Sequence, residues 1–516
     1  MQLTPQPERA ERREFSDDHS WGDHLMPMTK RPNILWLCAD QQRFDTVGCY
    51  GNPFVETPNL DRLAAGGVMF DHAYAQSPVC TPSRASFLTG RYPRTTRARQ
   101  NGGSIPAGER LIPRILADAG YTCGLVGKLH IRAAHPRPHR PVESRIDDGY
   151  SWFSWSHQPP PNAAQAAMDW PTNAYSNWLR ARGITFERQA HPDTEHVQIG
   201  VEEQHQHTTW CAETATEFVE TMAGFPQPWL LSVNFYDPHH PFDPPKELLE
   251  RYLDRLDDIP LPRFRPGELD NKPLLQQEHY AGGHSAARTF VHSEMSEREH
   301  RVIRAAYWAM IDMLDRQIGR ILDALERTGQ REDTIVIFHA DHGEMLGDHG
   351  IYLKGAYFYD PAVRVPLILN WPRRLASGRR VSGLVELVDV APTVLEAVGA
   401  DLEPGIQGRS LMPLIDGRVA EHRDDVYCEF YNAGGPHRGQ GTYATMVRSE
   451  RHKIVVYHGS GDGVRGELYD LDDDPGEHVN RWDDPAYLAA KTDMLQRMTD
   501  RMAMTADPLP VRDDVW

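Results

Sequence analysis

Short apolar runs, each closed at its C-terminal end by polar or charged residues, recur along this chain between segments of helical period. Asn33-Ile34-Leu35-Trp36-Leu37-Cys38-Ala39 ends in Asp40. Thr334-Ile335-Val336-Ile337-Phe338 leads to Asp341 and His342, Tyr121 to Gly127 leads to Lys128, and Trp229 to Phe235 leads to Asp237. Runs this short and this apolar read as strands buried on both faces of a parallel sheet. Val68-Met69-Phe70 is a further strand. Helices fall between them. Thr57 is placed to cap one that begins with Pro58, another covers Arg114 to Gly120, and the Cys80 segment enters a helix through Pro82. From Glu299 to Glu326, Ile303, Ala306, Tyr307, Met310, Leu314, Ile318, Ile321, Leu322 and Leu325 form one apolar stripe, and Gly329 ends it. This alternation predicts an α/β fold, a large mostly parallel central sheet flanked by helices. Ligand groups of such sheets gather at the C-terminal strand ends.

The 516 residues exceed one small core and suggest a large domain with a smaller one. Residues 1–30 read as a polar arm, 31–420 as the large domain and 421–516 as a C-terminal α+β subdomain with a tail. Thr442 to Tyr457 and Gly466 to Leu471 suggest short antiparallel strands there, followed by a helix from about Ala486 to Met502. Residues 132–204, rich in Pro, His, Trp and Arg, read as inserted loops at the mouth of a site. The Pro508-to-Trp516 tail packs either on a neighbouring subunit, making a homo-oligomer, or on its own chain.

Lys and Arg total 55 against 73 Asp and Glu, a formal charge of −18 with no dense basic block. Nucleic acid and anionic membrane are therefore excluded as expected partners. Six scattered cysteines without a CxxC pair read as reduced thiols. With no apolar leader or membrane-length run in the sequence, a soluble cytoplasmic protein is expected.

Asp40-Gln41 and Asp341-His342 are two pairs of oxygen and nitrogen donors at strand ends far apart in sequence. If those strands are neighbours the pairs converge. An oxygen-rich set suits one hard divalent ion, Ca²⁺ first, with Mn²⁺ the alternative that a histidine favours. Singly, each pair is equally a cap or a turn. Lys128 and His130 follow one strand; His239 and His240 follow another, and Lys354 comes late in the chain. Each has a surface or loop reading too.

Cys80-Thr81-Pro82-Ser83-Arg84, followed by Leu88-Thr89-Gly90-Arg91, resembles the active-site segment of the sulfatase family. Gly127-Lys128-Leu129-His130, Pro238-His239-His240-Pro241, Ala340-Asp341-His342-Gly343, Lys354 and Glu467-Leu468-Tyr469-Asp470-Leu471 match further family segments in the family's order, over about residues 31–480. The resemblance implies an alkaline-phosphatase-like fold and hydrolysis of a small-molecule sulfate ester. It implies that a sulfatase-maturing enzyme converts Cys80 to formylglycine, whose hydrate attacks sulfur. It further implies metal ligation by Asp40, Gln41, position 80, Asp341 and His342. Arg84 would anchor the hydrate, and Lys128 and Lys354 would bind sulfate oxygens. His239 would protonate the leaving alcohol, with His240 second in rank, and His130 would assist release of sulfate. Asn101 matches a position near the substrate oxygens and reads equally as a turn residue of Asn-Gly. Many sulfatases carry a second aspartate and an asparagine where Gln41 and His342 stand. The version here resembles choline-sulfatase-like and phosphonate-hydrolase-like members, so a phosphonate monoester or phosphodiester hydrolase is the rival activity. An inactive metal-stabilised binding protein is the rival of another class. Trp152, Phe153, Trp155 and His157, with His135, Arg137, His139 and Arg140, line a leaving-group pocket or form a small satellite core.

Overall fold

The computed structural model describes residues 31–134, 142–160, 172–283, 288–432, 442–459 and 464–509. The N-terminal arm, His135, Arg137, His139, Arg140 and the last tail residues lie outside the described residues.

Among the described residues fifteen strands follow in chain order. They are β1 Asn33–Ala39, β2 Val68–Tyr74, β3 Thr122–Gly127, β4 Trp152–Trp155, β5 Gln189–Ala190, β6 Gln198–Ile199, β7 Trp229–Asn234 and β8 Thr334–Ala340. The series continues with β9 Arg364–Val365, β10 Leu367–Asn370, β11 Arg379–Glu386, β12 Asp425–Asn432, β13 Thr442–Ser449, β14 His452–His458 and β15 Gly466–Asp470. The main sheet runs β11-β2-β10-β8-β1-β7-β3-β4, with β9 paired to β2. All its pairings are parallel except those of β10 and β9. Strand β1 lies at the centre, and all seven of its residues are buried. Its apolar character on both faces is what helix-covered sheets require. The predicted α/β architecture is therefore the observed one.

The long helix spans Glu297–Arg327, two residues before and one after the expected range Glu299 to Glu326. Ser296 caps it through a reciprocal pair of bonds with Glu299. Thr57 does not cap the helix Pro58–Ala65, contrary to the sequence expectation. Its hydroxyl accepts from the Gly48 amide at 2.8 Å and donates to Asp61. Asp315 of the long helix takes its place, accepting from the Asn59 and Leu60 amides at 3.1 and 2.8 Å. The helix beginning at Cys80 starts at that residue, two positions earlier than Pro82 suggested.

The insert is more than loops. It supplies β4, which closes one edge of the main sheet, the β5-β6 hairpin and a helix Ala174–Ala181 capped by Asn173. Four residues of edge strand carry too weak a periodicity to stand out in a segment so rich in proline and histidine. The second sheet, β12-β13-β14-β15, is antiparallel throughout. It shares a core with the main sheet: Val426, Met446 and Val455 pack with Tyr74, Tyr357 and Val363. Leu509 lies against Gly405, and Asp507 pairs with Arg91 at 2.6 Å, so the tail as far as Leu509 docks on its own chain. Among the described residues no helix is long and apolar enough to cross a membrane.

Candidate active site

Four neighbouring strands, β8, β1, β7 and β3, end on the same side of the sheet and deliver most of the site. Ala39 of β1 stands opposite Ala340 of β8, so the next residues, Asp40 and Asp341, leave the sheet side by side. On the other flank Gly127 pairs with Asn234, and the Lys128 amide continues the ladder to the Asn234 carbonyl at 3.0 Å. A Cβ at Gly127 would stand 2.0 Å from that carbonyl, and its φ of 93° also suits glycine alone. Chain β7 leads through Asp237 to His239 and His240.

Cys80 opens a ten-residue helix that is buried throughout. The sulfur therefore sits at the positive end of the helix dipole. Around it lie Lys354 Nζ at 3.1 Å, His342 Nε2 at 3.2 Å, Asp40 Oδ1 at 3.7 Å and Lys128 Nζ at 3.8 Å. His130 and His239 also reach it. Burial alone would raise the thiol, but Lys128, Lys354 and His342 outweigh it and hold Cys80 well below the usual range. At Cys38 burial wins instead: Arg84 and Lys128 act too weakly to offset it, and that thiol is pushed up. All six cysteines are free.

The carboxylates are braced from behind. Arg84, fully buried, reaches Asp341 Oδ2 at 2.8 Å, Asp40 Oδ2 at 3.2 Å and the Lys128 carbonyl at 3.2 Å. Its fork thus faces the two aspartates. Lys128 Nζ lies 2.5 Å from Asp40 Oδ2. Burial and the Cys80 sulfur push the Asp40 carboxyl up, yet Lys128, His239 and Arg84 hold it well below the carboxylate range. Asp341 Oδ1 accepts from the amides of Gln41 and His342 at 3.0 and 2.9 Å. Burial resists protonation of His342, but Asp341 raises it overall.

Donor atoms of Asp40, Cys80, Asp341 and His342 all lie within 4.8 Å of one another. Gln41, which follows Asp40 and whose backbone amide bonds Asp341, has a buried Oε1 with no hydrogen-bond partner among the described residues, whereas its side-chain amide nitrogen donates to Glu344. Two carboxylates and an imidazole, with an unpaired buried carbonyl on the neighbouring residue, form a donor set that a hard divalent cation satisfies. The residues fit a divalent cation.

A cavity of about 310 Å³ opens above the sulfur, lined by Asn101, Lys128, His130, His157, Gln158, Tyr236, His239, His240, Leu353 and Lys354. Lys128 and Lys354 are buried, against their surface reading. Asn101 Oδ1 accepts from the Thr81 amide at 2.9 Å and so ties the cavity wall to the first turn of the Cys80 helix. His239 Nδ1 meets the His240 carbonyl at 2.5 Å, and the two rings stack with centroids 4.2 Å apart. Burial and Lys354 push His239 down to about 4. Of the described aromatics among Trp152, Phe153, Trp155 and His157, His157 alone lines the cavity. Trp155 is buried under a bond to Glu143, Trp152 packs edge-on against Phe218, and Phe153 lies under Arg145. For those three the core reading holds. Sequence reasoning missed Gln158, Tyr236, Leu353 and Glu344; Gly343-Glu344, directly after the ligand pair, was the available signal for the last.

A buried sulfur ringed by cations, beside donors that could hold a divalent ion, at the strand ends of this sheet points to an ester hydrolase of the alkaline-phosphatase-like fold. The Sulfatase family model matches residues 32–400, and the model for the N-sulphoglucosamine sulphohydrolase C-terminal region matches 347–504. An uncharacterized sulfatase, YidJ, of Escherichia coli (strain K12) is 31% identical over 93% of this chain and 88% of its own. An arylsulfatase of Clostridium perfringens (strain 13 / Type A) is 29% identical over 87% and 90%. The crystal structure of phosphonate monoester hydrolase of Agrobacterium radiobacter superposes with a TM-score of 0.77 at 26% identity, covering 94% of this chain and 98% of that one. The chain belongs to the sulfatase family, and it is a sulfuric ester hydrolase.

Proposed function

We propose that this enzyme hydrolyses sulfate monoesters with a formylglycine made from Cys80 by a sulfatase-maturing enzyme. The observation that carries this is the environment of one sulfur: two buried ammonium groups, three imidazoles and a carboxylate converge on it. A structural cysteine requires none of them. The formylglycine hydrate supplies an oxygen nucleophile toward sulfur and a second hydroxyl whose deprotonation frees the sulfate. Asp40, Gln41, Asp341 and His342, with position 80, would hold one divalent ion, Ca²⁺ with Mn²⁺ the alternative, which polarises sulfate oxygen and acidifies the hydrate.

The other roles belong to side chains that line the cavity. Lys128 and Lys354 meet the anionic oxygens, where fixed charge in a dry site supplies the largest stabilisation. His239 is neutral in the free enzyme. The negative charge of a bound sulfate ester, offsetting Lys354, raises its proton affinity and lets it protonate the leaving oxygen. His130, which burial and Lys128 also keep neutral, takes the second proton of the hydrate. Asn101 steadies the first turn under the anion. Reduced cysteines support a cytoplasmic location.

Gln41 and His342 favour one second reading, a phosphonate monoester or phosphodiester hydrolase with the same machinery, which the Agrobacterium relative also supports. Parallel assays of one preparation on an aryl sulfate and an aryl phosphonate decide between them. The sulfatase reading expects the higher kcat/KM on the sulfate; a preference for the phosphonate would select the second reading.

A further inference from the structure

His130 stands in a left-handed backbone conformation, φ 54°, which a non-glycine residue adopts only when its surroundings hold it there. Its imidazole, which reaches the Cys80 sulfur and leaves Nδ1 buried without a hydrogen-bond partner among the described residues, does not bond its own backbone. Another side chain does. Glu143 Oε2 accepts from the His130 amide at 2.8 Å, and Oε1 accepts from the Ile131 and Arg132 amides at 2.7 and 3.0 Å. The indole of Trp155, on edge strand β4, donates to Oε2 at 3.1 Å and fixes the carboxylate from the other side. Glu143 is 2% exposed and Trp155 is equally buried.

Three successive backbone amides converging on one buried carboxylate form a charge-assisted clamp, and such bonds are roughly twice as strong as neutral ones. Those three amides and the indole supply four donors to the two carboxylate oxygens, two to each. The same strand end places His157 edge-on against the His130 ring, with centroids 4.6 Å apart. The insert thus fixes His130 twice, backbone and ring.

We infer that Glu143, locked by Trp155, is the positioning residue that aims the His130 imidazole at position 80. It touches neither substrate nor sulfur and acts through His130 alone. The inference rests on the role given to His130 in the proposed reaction, and it assigns the insert a catalytic purpose besides closing the sheet. An amide in place of the carboxylate would turn an NH₂ group toward two donors, so Glu143→Gln keeps the volume and breaks the clamp.

The test compares wild type, Glu143→Gln and Trp155→Phe. In Glu143→Gln, kcat on an aryl sulfate should fall about 10- to 100-fold with KM within about twofold, the pattern of misaimed but intact machinery. Calorimetric binding of inorganic sulfate should be unchanged, while amide exchange at residues 130–132 should accelerate. Trp155→Phe should shift kcat and exchange in the same direction by less. Unchanged kcat together with unchanged exchange overturns the inference, as does loss of sulfate binding in step with kcat. If Glu143→Gln does not fold, Trp155→Phe carries the same readouts, and the same outcomes support or overturn the inference. Exchange and sulfate binding are also read on protein whose Cys80 is unconverted. A wild type without turnover on either ester would therefore count against the proposed function, while exchange still judges the clamp.

Discussion

Cys80 and Cys38 are both buried in the same half of the molecule, yet one thiol is driven down and the other up. The difference lies in what faces each sulfur, and the role proposed for position 80 rests on it. Cys80→Ala should abolish multiple turnover, by more than about 10³-fold, while far-ultraviolet circular dichroism and the melting temperature stay near wild type, because the change removes one sulfur from a helix start. Retained turnover in that variant would contradict the mechanism. Lys354→Ala should lower kcat/KM about 10²- to 10³-fold on a sulfate ester, since a fixed cation facing the developing charge is removed. Steady-state kinetics would show this, and a loss under threefold would place Lys354 outside the anion site. At this scale the sequence was informative: every ligand and cation that the family motifs named lies at the cavity or directly behind it. Glu143 was not legible, because a glutamate that serves only backbone amides and an indole carries no motif of its own.

Strand ends and helix starts are where those residues acquire their positions. Asp40 and Asp341 meet because β1 and β8 pair in parallel register to their last residues, and short buried runs made both strands readable. Strand β4 and the Asp315 cap were not readable. One is four residues long, and the other is a tertiary contact between elements some 255 residues apart. Ser296→Ala removes the capping box of the long helix and should cost about 1 kcal/mol in urea-denaturation stability; no change would mean that packing alone fixes that end. Gly127→Ala should be far worse, since its Cβ would enter the β7 ladder immediately before Lys128. The expected outcome is insoluble protein, or soluble protein with impaired sulfate binding.

Across the whole molecule, folding holds several histidines neutral. His207, fully buried and close enough to feel Lys128, is pushed down to about 3 by burial first and that cation second. Its ordinary range lies near 6.5, so the unfolded chain binds protons there that the folded chain refuses. Stability from this group is therefore present above pH 6.5 and drains as pH falls toward 3. Thermal melts between pH 7 and pH 4 should show falling midpoints, and His207→Gln should flatten part of that slope; an unchanged slope would remove His207 from the account. Chelation should lower both activity and melting temperature, with Ca²⁺ or Mn²⁺ restoring them, because two buried aspartates and the Gln41 carbonyl lose their shared partner. Arg84 and Lys128 limit that loss and should leave the apo-protein folded.

The mass of the peptide that contains position 80, taken from a preparation actively hydrolysing a sulfate ester, probes the chemistry at its source. Conversion of the thiol to the aldehyde should make that peptide about 18 Da lighter by stoichiometry, in proportion to specific activity. A peptide that carries only the intact thiol in fully active enzyme would contradict it.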